Sequence, residues 1–148
     1  KGVDMYESMV NYWAVLVSAL VFFGIGAIWY GPVFGKAWIK SMGLSEADLE
    51  AQKAEENMVM SFGLMFVSSL LMALATAHLI DYLLFVFPDS GAVKVGLTTA
   101  FFVWVGYTFS YLITAPAFEK RPWSYVWING GYWLVGLAVT GIIVGLWR

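Results

Sequence analysis

The sequence predicts an all-α membrane fold, a four-transmembrane-helix bundle with a helical cytoplasmic extension before the second span. Three observations carry this. Of 148 residues, 61% are hydrophobic and 12% charged, whereas an average soluble domain is about 45–50% apolar and about 25% charged. Mean hydropathy is +0.76, and a chain this short cannot enclose so much apolar surface in one globular core. Finally, four apolar stretches each approach or exceed the roughly 20 residues needed to cross a hydrocarbon layer of about 30 Å. Barrel strands would be about half as long.

The first span is expected at about residues 12–30, without a charge. It is longer than a signal-peptide core and lacks an A-x-A-like site after it, so it reads as a permanent span. It ends in Trp29-Tyr30-Gly31-Pro32-Val33-Phe34-Gly35-Lys36-Ala37-Trp38, where aromatics, a helix breaker and a cation mark an exit from the bilayer. Ser45-Glu46-Ala47-Asp48 then has the form of a capping box, with Leu44 and Leu49 at the staple positions. A polar helix comes next, at about 46–57. No Gly or Pro interrupts the chain before the second span at about 58–87, so one continuous helix from Glu46 to Phe87 is expected.

Pro88-Asp89-Ser90-Gly91 is a turn cluster leading to the third span, about 93–115. That span exits through Pro116-Ala117-Phe118-Glu119-Lys120-Arg121-Pro122-Trp123, and the fourth covers about 123–147. Both exits read Pro-x-Phe-x-Lys with a Trp soon after, 84 residues apart. They suggest two helical hairpins in parallel repeat, related by an axis along the membrane normal. Pro, Phe, Lys and Trp are also what membrane interfaces collect. Lys36, Lys40, Lys53, Lys120 and Arg121 lie on one side, Lys1, Lys94 and Arg148 on the other. That bias places both termini outside and the polar helix in the cytoplasm.

Composition also excludes. A net charge of −2 offers no basic field for nucleic acid. Without cysteine there are no disulfides, thiol catalysis, Cys-ligated zinc or iron–sulfur clusters. A single His makes a metal site, or haem, dependent on help from elsewhere. No metal and no cofactor is expected, although a bound lipid or other hydrophobic ligand fits the composition.

Few residues offer chemistry. His78 and Asp81, at i and i+3 on the second span, are candidates for a proton or cation site, because ionisable groups within a membrane are costly to keep. Their alternative is a local ion pair or hydrogen bond that fixes the helix. Ser69, Ala73, Ala77 and Asp81 recur every four residues, and Gly141-Ile142-Ile143-Val144-Gly145 is a G-x-x-x-G. Small residues at that spacing let membrane helices approach closely, within one chain or between chains. Asn129 and Tyr132 could join helices by hydrogen bonds or orient a polar ligand. Glu119 beside Lys120 and Arg121 reads as a local salt-bridge set near lipid headgroups. Trp13, Trp38, Trp123, Trp127 and Trp147 suit the interfaces. Trp29, Tyr30, Trp104, Tyr107, Tyr111 and Trp133 are either bundle core or the walls of a pocket for a flat hydrophobic molecule.

Asn11-Tyr12-Trp13, Trp29-Tyr30-x-Pro32, Phe34-Gly35-Lys36-x-Trp38 and Met42-Gly43-Leu44 resemble a family of small, mostly bacterial membrane proteins catalogued only as a domain of unknown function. Arg121-Pro122, Ile128-Asn129-x-Gly131-Tyr132, Gly141 and Gly145-x-Trp147 resemble that family's closing helix. The likeness implies a four-helix integral membrane protein and no particular reaction. Trp133 stands where a His often follows the Gly-Tyr pair, so an activity resting on that His would be missing here.

With no nucleophile–base pair in the chain, the leading expectation is a non-enzymatic homo-oligomer or an accessory subunit of a larger membrane complex. Behind it stand a small transporter or channel using His78 and Asp81, and a binder of a hydrophobic cofactor or lipid.

Overall fold

A computed structural model describes residues 5–55 and 57–147, which are all-helical apart from turns and short connections. Among the described residues, four helical stretches are long and apolar enough to cross a membrane: Tyr12–Val33, Met58–Val86, Ala92–Phe118 and Trp123–Leu146.

The first is α1, Tyr12–Ile28, continued by a wider π-helical turn, π1, Trp29–Val33. Asn11 caps it, its side-chain oxygen accepting from the amides of Trp13 and Ala14 at 3.0 and 3.3 Å. Gly31 leaves helical geometry (φ −95°, ψ −106°) just before Pro32. Proline has no amide to donate and its ring crowds the preceding turn, so the helix widens there. A short amphipathic helix α2, Gly35–Met42, comes next and ends on Gly43 at φ 71°, the left-handed conformation that glycine adopts at little cost.

The polar helix α3 spans Glu46–Glu55. Its capping box forms in full: the Asp48 amide donates to the Ser45 hydroxyl at 3.2 Å, and the Ser45 amide donates to the Asp48 carboxylate at 2.9 Å. The continuous helix expected from Glu46 to Phe87 does not form. Asn57 is non-helical (φ −80°, ψ 89°) and its side chain accepts from the Met60 amide at 3.1 Å, starting α4, Met58–Val86, afresh. Asparagine competes with the helix for backbone donors, so an Asn at this point acts as a cap even with no Gly or Pro nearby. Position 56, within the expected polar helix, lies outside the described residues.

The third span is α5, Ala92–Val103, a second π-helical turn π2, Trp104–Phe109, and one further turn α6, Ser110–Leu112. Pro116 does not end it. It sits in the first turn of the short α7, Ala115–Phe118, where a missing amide is harmless. The two Pro-x-Phe-x-Lys stretches therefore adopt different conformations, one in a widened turn and the other at a helix start. Lys120, at φ 55°, turns the chain into α8, Trp123–Leu146.

Helix α8 is the hub, packing against α1, α4 and α5. Phe22, Ile80, Val126 and Leu137 are fully enclosed among these spans. Glycine makes the closest approaches possible. A Cβ on Gly141 would lie 2.5 Å from the Gly96 carbonyl oxygen, and one on Gly145 2.9 Å from that of Ala92. Gly136 leaves the space that the Phe22 ring fills. The G-x-x-x-G of the fourth span is thus used inside the bundle, against α5. Ser69, Ala73 and Ala77 are likewise buried, and the two alanines belong to a core cluster with Val15 and Ala19 of α1.

Candidate functional site

At the end of the bundle that carries α2, α3 and α7, three side chains converge on one turn of α8. The Trp29 indole donates to the Ile128 carbonyl at 2.9 Å, and the Trp104 indole donates to the Gly130 carbonyl at 2.7 Å. Between these carbonyls, Asn129 accepts from the Tyr30 hydroxyl at 2.7 Å and donates to the Tyr125 carbonyl at 2.8 Å. A hydrogen bond inside a bilayer has no water competing for its partners, so such ties hold the helices in register.

The two tryptophans are placed by the same device. Each opens a π-helical turn and lies against a phenylalanine five residues on, Trp29 on Phe34 with centroids 4.7 Å apart and Trp104 on Phe109 at 4.6 Å. The stretches read Trp-Tyr-Gly-Pro-Val-Phe and Trp-Val-Gly-Tyr-Thr-Phe. A repeated Trp-x-Gly-x-x-Phe, 75 residues apart, is the signal in the sequence for this arrangement. The Pro-x-Phe-x-Lys pair points to a different offset.

On the far side of Asn129 the bundle opens laterally. A cleft of about 400 Å³ lies there, with Tyr107, Thr108 and Tyr111 on one wall and Tyr125, Asn129 and Trp133 on α8. Met72 of α4 and Leu112 complete it. Tyr107 and Tyr111 are strongly exposed along this opening. The lining is apolar and aromatic with neutral hydrogen-bonding groups, the mixture typical of small-molecule sites, which occupy roughly 300–1,000 Å³. Of the six inner aromatics, Tyr107, Tyr111 and Trp133 thus face one cleft, whereas Trp29, Tyr30 and Trp104 tie the helices to α8.

Tyr132 turns the other way, into the core. It is buried, with its ring 5.1 Å from those of both Phe22 and Tyr30. The Glu119 carboxylate lies 3.9 Å from Arg121 Nε. Arg121 Nη1 donates to the Met42 carbonyl at 2.8 Å, closing the first connection onto the third. Its guanidinium stands over the Tyr125 ring, 5.6 Å from the centroid.

His78 and Asp81 lie at the opposite end of the bundle and take different partners. Asp81 is buried, and one carboxylate oxygen accepts from the Tyr6 hydroxyl at 2.8 Å and from the Met9 amide at 3.0 Å. It pins the segment that precedes α1. His78 Nδ1 lies 2.9 Å from the Leu74 carbonyl, and its ring is 6.2 Å from that of Tyr12. The Leu74 carbonyl can only accept, so Nδ1 carries the proton.

A family model described as "Protein of unknown function (DUF1761)" matches residues 13–145, and the chain belongs to that family. Neither the curated proteins nor the solved structures contain a match.

Proposed function

We propose that this member of the family is a binding protein for an amphipathic, lipid-soluble molecule, which enters the lateral cleft beside Asn129 from the bilayer. The cleft itself is the observation that carries the reading: about 400 Å³ with three tyrosines, a threonine, an asparagine and a tryptophan on its walls. Its neutral donors and acceptors suit a polar group at one end of the ligand, and its aromatic walls suit the rest. We place it in a bacterial inner (plasma) membrane, as its resemblance to mostly bacterial proteins suggests, and with both termini outside, because five of the eight cations in the sequence fall on the cleft side.

Self-assembly, or service as an accessory subunit, ranks behind this reading. Its sequence support is the small-residue stripes, and Gly141, Gly145, Ala73 and Ala77 are already packed within the chain. Transport through His78 and Asp81 also ranks behind, because Asp81 is engaged by Tyr6 and the Met9 amide.

The test is native mass spectrometry of protein extracted gently from its own membrane. A retained small-molecule mass in the wild type, absent from Thr108→Trp, is the expected result. Bare chains from both proteins would overturn the reading.

A further inference from the structure

We propose that the cleft takes an anionic phospholipid, its acyl chain between π2–α6 and α8 and its phosphate on Arg121. The proposal rests on the cleft being a ligand site, and adds to it the class of ligand and the residue that selects it.

The geometry begins at Tyr125, which belongs to both places. Its side chain lines the cleft, and the Arg121 guanidinium stands over its ring. From Tyr125 to Trp133 the cleft runs along α8 for eight residues, about 12 Å at the helical rise, directed into the apolar layer. A ligand lying along it has its inner part among aromatic and aliphatic side chains, and its outer end beside a cation that cannot lose its charge.

Arg121 is incompletely used by the protein. Of its five N–H donors, one meets the Met42 carbonyl. Nε is buried without an acceptor, since the Glu119 carboxylate at 3.9 Å is beyond hydrogen-bond reach. About a third of the side chain remains exposed, so the outer edge of the guanidinium can reach a phosphate oxygen. The Met42 bond and the Tyr125 ring fix its direction, so little side-chain freedom is lost on binding.

In α2 and the connection from α7 to α8, cations outnumber acids four to one. Lys120 is exposed immediately before Arg121, with its backbone at φ 55°, and Lys36 and Lys40 are exposed on α2, which packs against α8. Glu119 is the one acid in this membrane-proximal set, whereas Asp48 and Glu50 lie on α3. Each cation near a bilayer surface favours anionic lipid. A zwitterionic lipid would place its own cation among these. The apolar depth of the cleft argues for a lipid rather than free phosphate, which would leave the Tyr107–Trp133 region unfilled.

The experiment is delipidated protein in mild detergent, titrated with phosphatidylglycerol or with phosphatidylcholine of the same chains and followed by native mass spectrometry. Wild type should retain phosphatidylglycerol roughly five- to tenfold more tightly. Arg121→Gln should reduce it to the phosphatidylcholine level, Arg121→Lys should restore part of the preference, and Thr108→Trp should remove both adducts. Thermal unfolding of each variant separates lost binding from lost fold. Equal binding of the two lipids overturns this inference and leaves the cleft reading standing. A preference that survives Arg121→Gln removes Arg121 from it, and one that survives Thr108→Trp separates headgroup from cleft. Retention of neither lipid overturns this inference, whereas the cleft reading falls only if protein from its native membrane also carries no bound molecule.

Discussion

The two π-helical turns are alike in construction and opposite in outcome. Both begin with a tryptophan that lies on a phenylalanine five residues later, and both indoles donate to carbonyls on one turn of α8. After π1 the chain runs straight into α2, whose Trp38 comes to 5.5 Å from Tyr30, and Tyr30 itself is bonded to Asn129. That side is filled. After π2 no helix equivalent to α2 returns over the bundle, and the corresponding space stays open as the cleft. The same anchor therefore gives a closed joint in one hairpin and an open cleft in the other. The presence or absence of a covering helix after the anchor decides between them.

The Trp104 anchor depends on α8 standing close to α5, and the tightest backbone approach lies between those helices, so the largest effect is expected there. Gly141→Leu forces a side chain into the Gly96 backbone. Loss of stability should be at or above the roughly 1–3 kcal/mol typical of overpacking, read from thermal unfolding in detergent. Chain stoichiometry should not change. A variant that unfolds normally but changes its subunit number would show that Gly141 meets a second copy instead.

Comparing the anchors directly should give a smaller effect. Trp29→Phe and Trp104→Phe each remove one indole donor and leave a carbonyl of α8 without it, at a cost of about 1 kcal/mol apiece. The stability losses should be similar because the devices are. The binding losses should differ: Trp104→Phe loosens the wall that carries Tyr107 and Thr108, while Trp29→Phe loosens the closed side. Equal loss of retained lipid in the two variants would break the distinction between joint and site.

Some of this is readable in the sequence and some is not, for physical reasons. The four spans follow from apolar length alone, and their observed bounds differ from those expected mainly at Gly31 and Pro116, while Asn57 breaks the continuous helix expected from Glu46 into the second span. Asn57 breaks a helix by offering a cap, which a search for Gly and Pro does not detect. The stripes of small residues are plain in the sequence, but spacing does not say which helix answers them; only packing assigns Gly141 to α5. Aromatic placement is half legible. Tyr107, Tyr111 and Trp133 are pocket candidates by sequence together with Trp29, Tyr30 and Trp104, and no pattern within a single helix separates walls from ties. The repeated Trp-x-Gly-x-x-Phe marks Trp29 and Trp104 as ties, but Tyr30 and Tyr107 both stand at its variable positions. Arg121 is legible as a juxtamembrane cation, whereas its place above Tyr125 depends on the left-handed turn at Lys120.

The smallest expected effect concerns α3, which lies in the connection that closes the first hairpin and has no counterpart in the second. The Ser45 hydroxyl, and then its amide, hold the Asp48 carboxyl below the usual carboxylate range. A depressed folded value means that the capping box contributes fully at pH values above the unfolded one, about 3.9, and is lost as pH falls through the folded value. Acid below that unfolded value should therefore fray the start of α3 while leaving π1 and π2 in place, because their anchors are indoles and carbonyls that do not titrate. Hydrogen exchange, corrected for the intrinsic rate at each pH, should rise in the first turn of α3 and remain steady across Trp29–Phe34 and Trp104–Phe109. Since Asp48 is fully exposed, the change should be slight and weaker still in salt. If π1 opened together with α3 while π2 did not, the closed joint would owe its closure to α3 as well as to Trp38, and the cover over the first hairpin would be one cooperative unit.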